Sequence, residues 1–368
     1  MRVLLAPDKF KGSLTAAQVA AAVGAGIRSV RPDVVVEAVP VADGGDGTVA
    51  AALAAGYDEV RVTATGPTGT PVSTSFARLG PRAVVELADV SGLVRLPDGL
   101  APMGASSRGT GEVVAAAIAA GCTEIVLGIG GSACTDGGAG LVRALGARLL
   151  DPSGHEIGEG GGALASVASV DLTGLRVDGI GFTVACDVDN PLTGPSGAAA
   201  VYGPQKGATT EQVRELDAAL GRWASVVADA TGVDHRDAPG AGAAGGVGFA
   251  AIALLGAELR PGIDLVLELT GFHERLAGAS LVVTGEGALD TQTLHGKAPA
   301  GVAAAARAAG VPVVAVCGSN TLAPAVLQDA GFASAYSLVE IEPDLARCLT
   351  HGAELLHTLG ARIAAEHL

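Results

Sequence analysis

Short apolar segments alternate with helical segments along most of the chain, and this alternation constrains the fold more than any other feature. The first apolar segment, residues 3–6, precedes a helix predicted over residues 16–27 with Thr15 as its N-terminal cap. Later apolar segments, 125–129 and 281–284, are again followed by a glycine-rich loop and then a helical pattern. Helices are also predicted over residues 210–231 and 344–367. Because a strand followed by a helical crossover favours parallel pairing, the sequence predicts an α/β fold with parallel sheets.

Two stretches rich in turn-forming residues interrupt the alternation. Residues 66–82 are rich in Pro, Gly and Thr, and residues 258–271 contain Pro261 and Gly262. We interpret both as crossings between domains, since such residues favour loops, and since 368 residues is long for one domain. The sequence therefore predicts a discontinuous domain formed by both chain ends, 1–65 plus 270–368, and an inserted second α/β domain, 66–269.

Charge and apolar patterning exclude several classes of partner. A net charge of −15 argues against nucleic acid, which needs a basic face. The charge-free stretch 238–257 is broken by Pro239 and several glycines, so its apolar part is too short to cross a membrane. We expect a glycine loop there, followed by a buried helix. The N-terminus lacks a signal-peptide pattern, and five cysteines without C-x-x-C spacing favour reduced thiols. We expect a cytoplasmic protein, and the sequence leaves a homo-oligomer open.

Lysine is rare, and each lysine lies near a glycine in a predicted loop. Of 23 Lys and Arg residues, the lysines are Lys9, Lys11, Lys206 and Lys297. An ammonium and a guanidinium are not equivalent at a phosphate, so retained lysines favour loops that bind anions. Chance placement on surface loops is the alternative.

Candidate binding residues follow the predicted strands, where open α/β sheets bind ligands. Acids among glycines can bind a metal or a substrate hydroxyl, although turns use the same residues. The candidates for substrate binding are Asp8, Lys9, Ser13, Asp43, Asp46, Asn190, Glu286 and Asp290.

The loop 128–138, GIGGSACTDGG, offers successive backbone N–H groups and two hydroxyls that suit phosphates. It also contains G-x-G-x-x-A, with Asp151 about twenty residues further on, so a dinucleotide fold competes. The glycines that follow weaken the start of a helix, and phosphate binding without a nicotinamide is favoured. The predicted cofactor-binding residues are Gly130, Gly131, Ser132, Thr135 and Asp136.

Two carboxylates end the predicted strand 182–186. Asp187 and Asp189 are two residues apart and share one face if the chain is extended. Such a pair can hold Mg²⁺, or one acid can accept a hydroxyl proton. A turn before Pro191 is the structural alternative.

The ordered motifs together resemble the bacterial glycerate kinase family, type 1. They are APDKFKGSL, ADGGDGT, GIGGSACTDGGAG, ACDVDNPLTG, YGPQKGA, PGAGAAGGVGF and VVTGEGALDTQTLHGKAPAGVA, and they run from Leu4 to about Gly318. The resemblance implies ATP-dependent phosphorylation of D-glycerate in glyoxylate and sugar-acid catabolism, favouring the 2-hydroxyl over the 3-hydroxyl. It also implies a Rossmann-like domain built from both chain ends, an inserted α/β domain, and an active site between them.

The resemblance leads to a hypothesis for the site. The loop 130–138 would bind the ATP phosphates, and Asp187 and Asp189 would bind Mg²⁺ or orient the hydroxyl. The expected catalytic residues are Asp189, Lys11, Lys206 and Lys297. Lys9 is a weaker candidate, because serine stands there in relatives. A dinucleotide-dependent dehydrogenase of a small hydroxy acid and a non-catalytic anion-binding module are the alternatives.

Overall fold

The structure, a computed structural model, describes residues 1–294 and 296–368. The strands in these residues are β1 (Arg2–Pro7), β2 (Val35–Ala38), β3 (Asp58–Thr65), β4 (Pro71–Leu79), β5 (Arg82–Glu86), β6 (Glu124–Gly128), β7 (Arg148–Leu150), β8 (Ser169–Asp171), β9 (Gly181–Ala185), β10 (Glu258–Arg260), β11 (Leu281–Leu289), β12 (Val313–Asn320) and β13 (Ser334–Ser337). They alternate with helices along most of the chain, as the pattern predicts.

The helices are, in chain order, α1 (Ala16–Val30), α2 (Thr48–Ala54), α3 (Ala88–Ser91), α4 (Arg108–Ala119), α5 (Ala139–Ala144), α6 (Ala198–Tyr202), α7 (Thr210–Thr231), α8 (Ala243–Leu255), α9 (Gly262–Leu269), α10 (Phe272–Leu276), α11 (Ala298–Ala308), α12 (Pro324–Asp329), α13 (Leu345–Thr350) and α14 (Gly352–His367). Short 3₁₀ turns cover Leu93–Arg95, Gly161–Ser166, Pro204–Lys206 and Leu338–Glu340. Within the described ranges, no helix is both long and apolar enough to cross a membrane.

The chain folds into two compact units. Unit 1 comprises Met1–Asp43, Ala50–Gly56 and Gly262–Leu368, and unit 2 comprises Gly44–Val49 and Tyr57–Pro261. The domain division at 65/66 and 269/270 stays a prediction.

The described part of unit 1 is built on a parallel five-stranded sheet in the order β13-β12-β11-β1-β2. Side chains alternate along β1: Leu4 packs with α9 and α11 on one face, and Leu5 packs with α1 and α14 on the other. The predicted α/β fold with a parallel sheet is confirmed. In such doubly wound sheets the ligand site lies where strand order reverses, which here is at the carboxyl ends of β1 and β11.

Unit 2 contains a mixed six-stranded sheet in the order β10-β9-β6-β5-β4-β3. The strands from β10 to β5 are parallel, whereas β4 runs antiparallel to both β5 and β3. The interpretation of residues 66–82 as an interdomain crossing is therefore wrong, because β4 pairs along the full length of β3. Its alternating burial places Thr74 and Phe76 inside, a signal hidden by the surrounding turn residues.

Helix capping follows the sequence, but the C-terminal helix does not. Thr15 forms a capping box with Gln18 at the start of α1, as its position predicts. The single helix expected over residues 344–367 is instead divided into α13 and α14 at His351, whose backbone is non-helical. A Cβ atom on Gly352 would lie 3.3 Å from Leu14 Cδ1, so the start of α14 lies close to the turn before α1.

Candidate functional site

The loop that follows β6 combines exposed glycines with a buried second half. Gly130 and Gly131 are exposed, whereas residues 132–136 are buried. In the described parts of the chain, the backbone N–H groups of Gly130, Gly131 and Ser132 donate to no acceptor. Consecutive unpaired N–H groups at the carboxyl end of a strand suit an anion. Three of the five predicted cofactor-binding residues therefore lie in one set of free donors.

A second glycine loop lies directly against this one. A Cβ atom on Gly128 would approach the Gly44 carbonyl oxygen to 2.6 Å, and one on Gly130 would approach Gly45 Cα to 2.8 Å. Any side chain at these positions would separate the two loops. The glycines of ADGGDGT and GIGGSAC thus serve close backbone approach, and Asp46 lies exposed in the first of these loops.

Lys206 lies beneath the loop and does not face solvent. It ends a 3₁₀ turn, is 2% exposed, and donates from Nζ to Ser132 Oγ at 2.9 Å and to the Cys134 carbonyl at 2.5 Å. Burial lowers the pKa of Lys206, while Asp136 acts in the opposite direction. The catalytic role expected of Lys206 stays a prediction, and the structure places its ammonium within the loop.

Asp136 is also buried, and its carboxylate is occupied by protein donors. Oδ2 accepts from Ser107 N at 2.8 Å, Ser107 Oγ at 2.9 Å and Gly140 N at 3.2 Å, and Oδ1 accepts from Gly138 N at 3.2 Å. Burial raises the pKa of Asp136, and the bonds from Ser107, Gly138 and Gly140 oppose that effect. Asp136 therefore organises the loop, and its contact with a cofactor stays a prediction.

Left-handed backbone closes the far end of the loop. Gly137 and Gly138 have φ of 62° and 71°, and Ala244, Gly245 and Gly246 have φ of 53°, 70° and 91° at the start of α8. Gly137 N donates to Gly245 O at 2.9 Å. The sequence expectation of a glycine loop before a buried helix corresponds to this turn.

Thr135 differs from its neighbours because its hydroxyl is unused. Its Oγ1 is the buried side-chain polar atom, among the residues the structure describes, that has no hydrogen-bond partner. An unsatisfied buried hydroxyl is costly and points to a group that completes it.

The dinucleotide alternative conflicts with the strand pairing. A dinucleotide fingerprint requires a helix between two parallel strands, with an acidic residue after the second. Here β7 pairs antiparallel with β8, outside the main sheet of unit 2. Asp151 accepts instead from the backbone of Ser153 and His155, which makes it a turn residue.

Glu86, at the end of β5, is a candidate that sequence reasoning missed. Its Oε2 accepts from Gly47 N at 3.0 Å and from Val49 N at 3.2 Å. Burial raises the pKa of Glu86 to about 7, these backbone bonds oppose the rise, and Asp46 adds to it. A lone acid at the end of an apolar run gives no local signal except its position at a strand terminus.

Residues 187–190 follow β9 and face solvent at both carboxylates. Asp187 and Asp189 are exposed, and Asp189 accepts no hydrogen bond from a described residue. Asn190 is held by its neighbours: its Nδ2 donates to Ser196 O at 2.8 Å, and Tyr202 donates to its Oδ1 at 2.7 Å. The Asp189 carboxylate accepts no hydrogen bond from a described residue, whereas the Asn190 side chain is already bonded.

In unit 1, the carboxyl ends of β1 and β11 bring acids together at the strand-order reversal. Asp8 is 8% exposed and accepts from Lys9 N at 2.6 Å, with Lys9 Nζ 3.7 Å away. Burial raises the pKa of Asp8 to about 7; Lys9 opposes this effect, and Asp43 and Glu286 add to it. The structure thus groups three of the predicted substrate residues.

Glu286 has both a hydroxyl and an ammonium partner. Thr293 Oγ1 donates to its Oε1 at 2.6 Å, and Lys297 Nζ lies 3.5 Å from its Oε2. Burial raises the pKa of Glu286, and Thr293 and Lys297 oppose the rise. Asp290 accepts from Gln292 N at 2.7 Å and therefore shapes the turn that carries Thr293.

Lys11 and Ser13 occupy the turn between β1 and α1. Lys11 is exposed and forms no ion pair with a residue in the described ranges. Ser13 Oγ donates to Leu349 O at 3.0 Å, which ties the turn to α13. Lys11 is thus available to an anion, while Ser13 has a structural partner.

The loop after β6 has donors that suit a bound nucleotide, and the carboxylates after β9 suit a Mg²⁺ ion. The free N–H groups and the unpartnered Thr135 hydroxyl suit phosphate oxygens. No cluster of three His, Cys, Asp or Glu side chains with metal-binding geometry occurs in residues 1–294 and 296–368. Mg²⁺ commonly takes one or two carboxylates and completes its shell with phosphates and water, which the Asp187–Asp189 pair permits.

Comparison with known proteins gives a consistent result over nearly the whole chain. Residues 3–368 match the model of the glycerate kinase family. The chain is 45% identical to the glycerate kinase of Bacillus subtilis (strain 168), over 99% of this chain and 97% of that protein. It is 45% identical to the glycerate 2-kinase of Escherichia coli (strain K12), over 92% of this chain and 91% of that protein.

A solved structure gives the same result for the fold. A crystal structure from Salmonella typhimurium LT2, whose description names glycerate kinase 2, is 43% identical and superposes with a TM-score of 0.86. The match covers 99% of this chain and 97% of that one. The similarity therefore extends over both units.

Proposed function

The chain belongs to the glycerate kinase family and is a kinase, and from this premise we propose that it transfers the γ-phosphoryl group of ATP to the 2-hydroxyl of D-glycerate. The observation that carries this proposal is the set of free N–H donors at Gly130, Gly131 and Ser132. Their position after a parallel strand suits the phosphates of a nucleotide. The preference for the 2-hydroxyl rests on the resemblance to a glycerate 2-kinase.

The proposed roles follow from where each residue lies after its strand. Gly130, Gly131, Ser132 and Thr135 bind the ATP phosphates, and Asp136 holds their loop in place. In unit 1, Lys11 and Lys297 balance the glycerate carboxylate, and Asp8, Asp43 and Glu286 accept hydrogen bonds from its hydroxyls. Local cations are needed because the net charge of −15 repels anions.

The carboxylates after β9 have the metal-binding role in this proposal. Asp187 and Asp189 hold Mg²⁺, which neutralises phosphate charge when it is bound. Asp189 also orients the attacking hydroxyl, because its exposed carboxylate has no hydrogen bond from a described residue. Positioning and charge stabilisation account for most of phosphoryl transfer, so these roles need no covalent intermediate. The cytoplasmic location and the sugar-acid pathway stay predictions.

Product analysis tests the reaction and its position together. The purified protein is mixed with ATP, Mg²⁺ and D-glycerate, and release of ADP is measured. Enolase without a mutase then reports 2-phosphoglycerate, because it dehydrates that isomer alone. Absence of glycerate-dependent ADP rejects the kinase reaction, and ADP without an enolase signal assigns the 3-hydroxyl.

Substitution of Lys11 tests the binding of the carboxylate. We expect Lys11→Ala to raise the KM for glycerate about tenfold or more, since a charge-assisted contact is lost, with little change in the KM for ATP. Arg28→Ala removes an equally exposed cation from unit 1 and keeps the net charge matched. Equal KM values for glycerate in the two variants would refute this role of Lys11.

A further inference from the structure

The Lys206 side chain contacts the loop 132–136 directly. Its side chain is 2% exposed, and its ammonium donates to Ser132 Oγ and to the Cys134 carbonyl. An ammonium has three donors and no acceptor, so two of its donors are used within the loop. The small exposed fraction leaves little surface for contact with a ligand such as glycerate.

The direction of the bond to Ser132 determines what Ser132 can do. Because the Lys206 ammonium only donates, Ser132 Oγ accepts this bond and keeps its own proton. No acceptor for that proton is present in the described ranges. The Ser132 hydroxyl is therefore left as a donor beside the free N–H groups of Gly130 and Gly131. A set made only of donors matches phosphate oxygens, which only accept.

A buried charge of opposite sign fixes the other end of the same segment. Asp136, 0% exposed, accepts from Ser107, Gly138 and Gly140, while Lys206 holds Ser132 and Cys134. Buried charges cost stability unless they are well bonded, and both of these are bonded to short loop segments. Two such groups at the ends of five residues restrict the conformation of the loop.

We propose that Lys206 is a positioning residue, which fixes the loop 132–136 and orients the Ser132 hydroxyl as a donor to the nucleotide phosphates. This inference rests on the proposed function, since it assumes that the loop binds ATP. It gives Lys206 a role in supporting the nucleotide site, in place of the direct catalytic role expected from the sequence. Glycerate binding should then be insensitive to Lys206.

The test is a double-mutant cycle on Lys206 and Ser132. Lys206→Met keeps the length of the side chain and removes its donors, and Ser132→Ala removes the hydroxyl. The Kd for ADP is measured by titration calorimetry, with KM for ATP, KM for glycerate and kcat measured alongside. We expect each variant to raise the Kd for ADP about tenfold, with an unchanged KM for glycerate.

Coupling between Lys206 and Ser132 shows whether Lys206 acts on ADP binding through Ser132. If Lys206 acts through Ser132, the double variant should also bind ADP about tenfold more weakly, whereas independent effects would multiply to about a hundredfold. Multiplied effects would overturn the proposal. A raised KM for glycerate with an unchanged Kd for ADP would overturn it too, in favour of direct contact with glycerate.

Two controls separate positioning from a general loss of stability. Thr270→Val removes a buried donor of unit 1, which bonds Val266 O at 2.8 Å, and should lower the Tm without changing the Kd for ADP. Ser132→Thr keeps the hydroxyl and should retain ADP affinity, which tests the proposal even if Lys206→Met does not fold. Weak ADP binding by Ser132→Thr equal to that of Ser132→Ala would overturn it.

The binding measurement also distinguishes this inference from the proposed function. ADP affinity is measured without turnover, so a wild-type protein that binds ADP but forms no phosphoglycerate would reject the kinase reaction alone. A wild-type protein that forms phosphoglycerate, with ADP affinity unaffected by Lys206→Met, would reject the positioning role alone.

Discussion

Among single residues, the buried carboxyls at strand ends carry the clearest energetic consequence. Glu86 ends β5 with a pKa raised to about 7 by burial, and Asp8 follows β1 with the same value. A raised pKa means that the folded chain binds the proton more tightly than the unfolded chain does. Ionisation of Glu86 therefore lowers the stability of the fold. This loss is absent below the ordinary pKa of 4.5 and complete above about pH 7.

Glu86→Gln should therefore reduce the fall in stability as pH rises from about 5 to about 8. Its amide oxygen can still accept from Gly47 and Val49, while the buried charge is absent. The expected gain at the higher pH is on the order of 2 kcal/mol; it should be much smaller at pH 5 and vanish below the ordinary pKa of 4.5. Thermal unfolding of both proteins at the two pH values checks this, and an equal shift at both would contradict it.

Sequence reasoning found the loop residues but not their burial. Glycines and lysines after predicted strands indicated phosphate chemistry, because strand ends and glycine loops are local signals. The burial of Lys206 depends on its packing beneath Ser132, 74 residues earlier, which no local pattern reports. Glu86 escaped for the same reason, since its partners Gly47 and Val49 precede it by 39 and 37 residues.

At the level of elements, two glycines allow α1 and α14 to cross at backbone distance. A Cβ on Gly26 would come within 2.0 Å of His357 O, and one on Gly360 within 2.2 Å of Val23 O. Both helices pack against the same face of the unit 1 sheet, which holds the strand ends that carry Asp8 and Glu286. The crossing therefore supports the sheet beneath the candidate substrate residues.

Gly26→Ala should destabilise the protein strongly, by about 2–4 kcal/mol, because backbone must move to admit the methyl group. Gly24→Ala is the matched control on α1. The added Cβ would lie 3.1 Å from the Leu5 side chain and 3.3 Å from the Val36 side chain, and both side chains can adjust. Urea unfolding of the two variants measures the difference, and similar losses would show that the crossing tolerates a side chain.

The elements themselves were largely predictable, and the errors have physical causes. Caps and helical periodicity located α1 and α7, since both depend on neighbouring residues. The strand β4 was missed because its Pro, Ser and Thr residues resemble a loop, and pairing with β3 and β5 stabilises it. The break at His351 coincides with a close approach of Gly352 to Leu14, which is distant in sequence and gives no local signal.

For the whole molecule, Trp223 provides a specific probe of unit 2. It is the single tryptophan of the chain, is fully buried, and donates to the Gly137 carbonyl at 3.0 Å. Its fluorescence should therefore report both unfolding of unit 2 and changes at the proposed phosphate loop.

ADP should raise the unfolding midpoint followed by Trp223 fluorescence. A ligand that binds only the folded state adds about 2.7 kcal/mol at a hundred times its Kd. The measurement is urea unfolding with and without ADP, with adenosine as the control that lacks phosphates. An equal shift with adenosine, or none with ADP, would refute phosphate binding by the loop.

The glycines of the chain differ in the freedom they give to protein engineering. Gly221 lies inside α7, and a Cβ there would meet only Thr193 Cγ2 at 3.9 Å, so alanine can strengthen that helix. Gly245 has a positive φ and would place a Cβ 2.1 Å from Cys134 O. A mutant library that substitutes all glycines alike would stabilise the helix at positions such as Gly221 and disrupt the nucleotide loop at positions such as Gly245. Sorting the glycines by the space that an added Cβ would have identifies the positions at which directed evolution can substitute them.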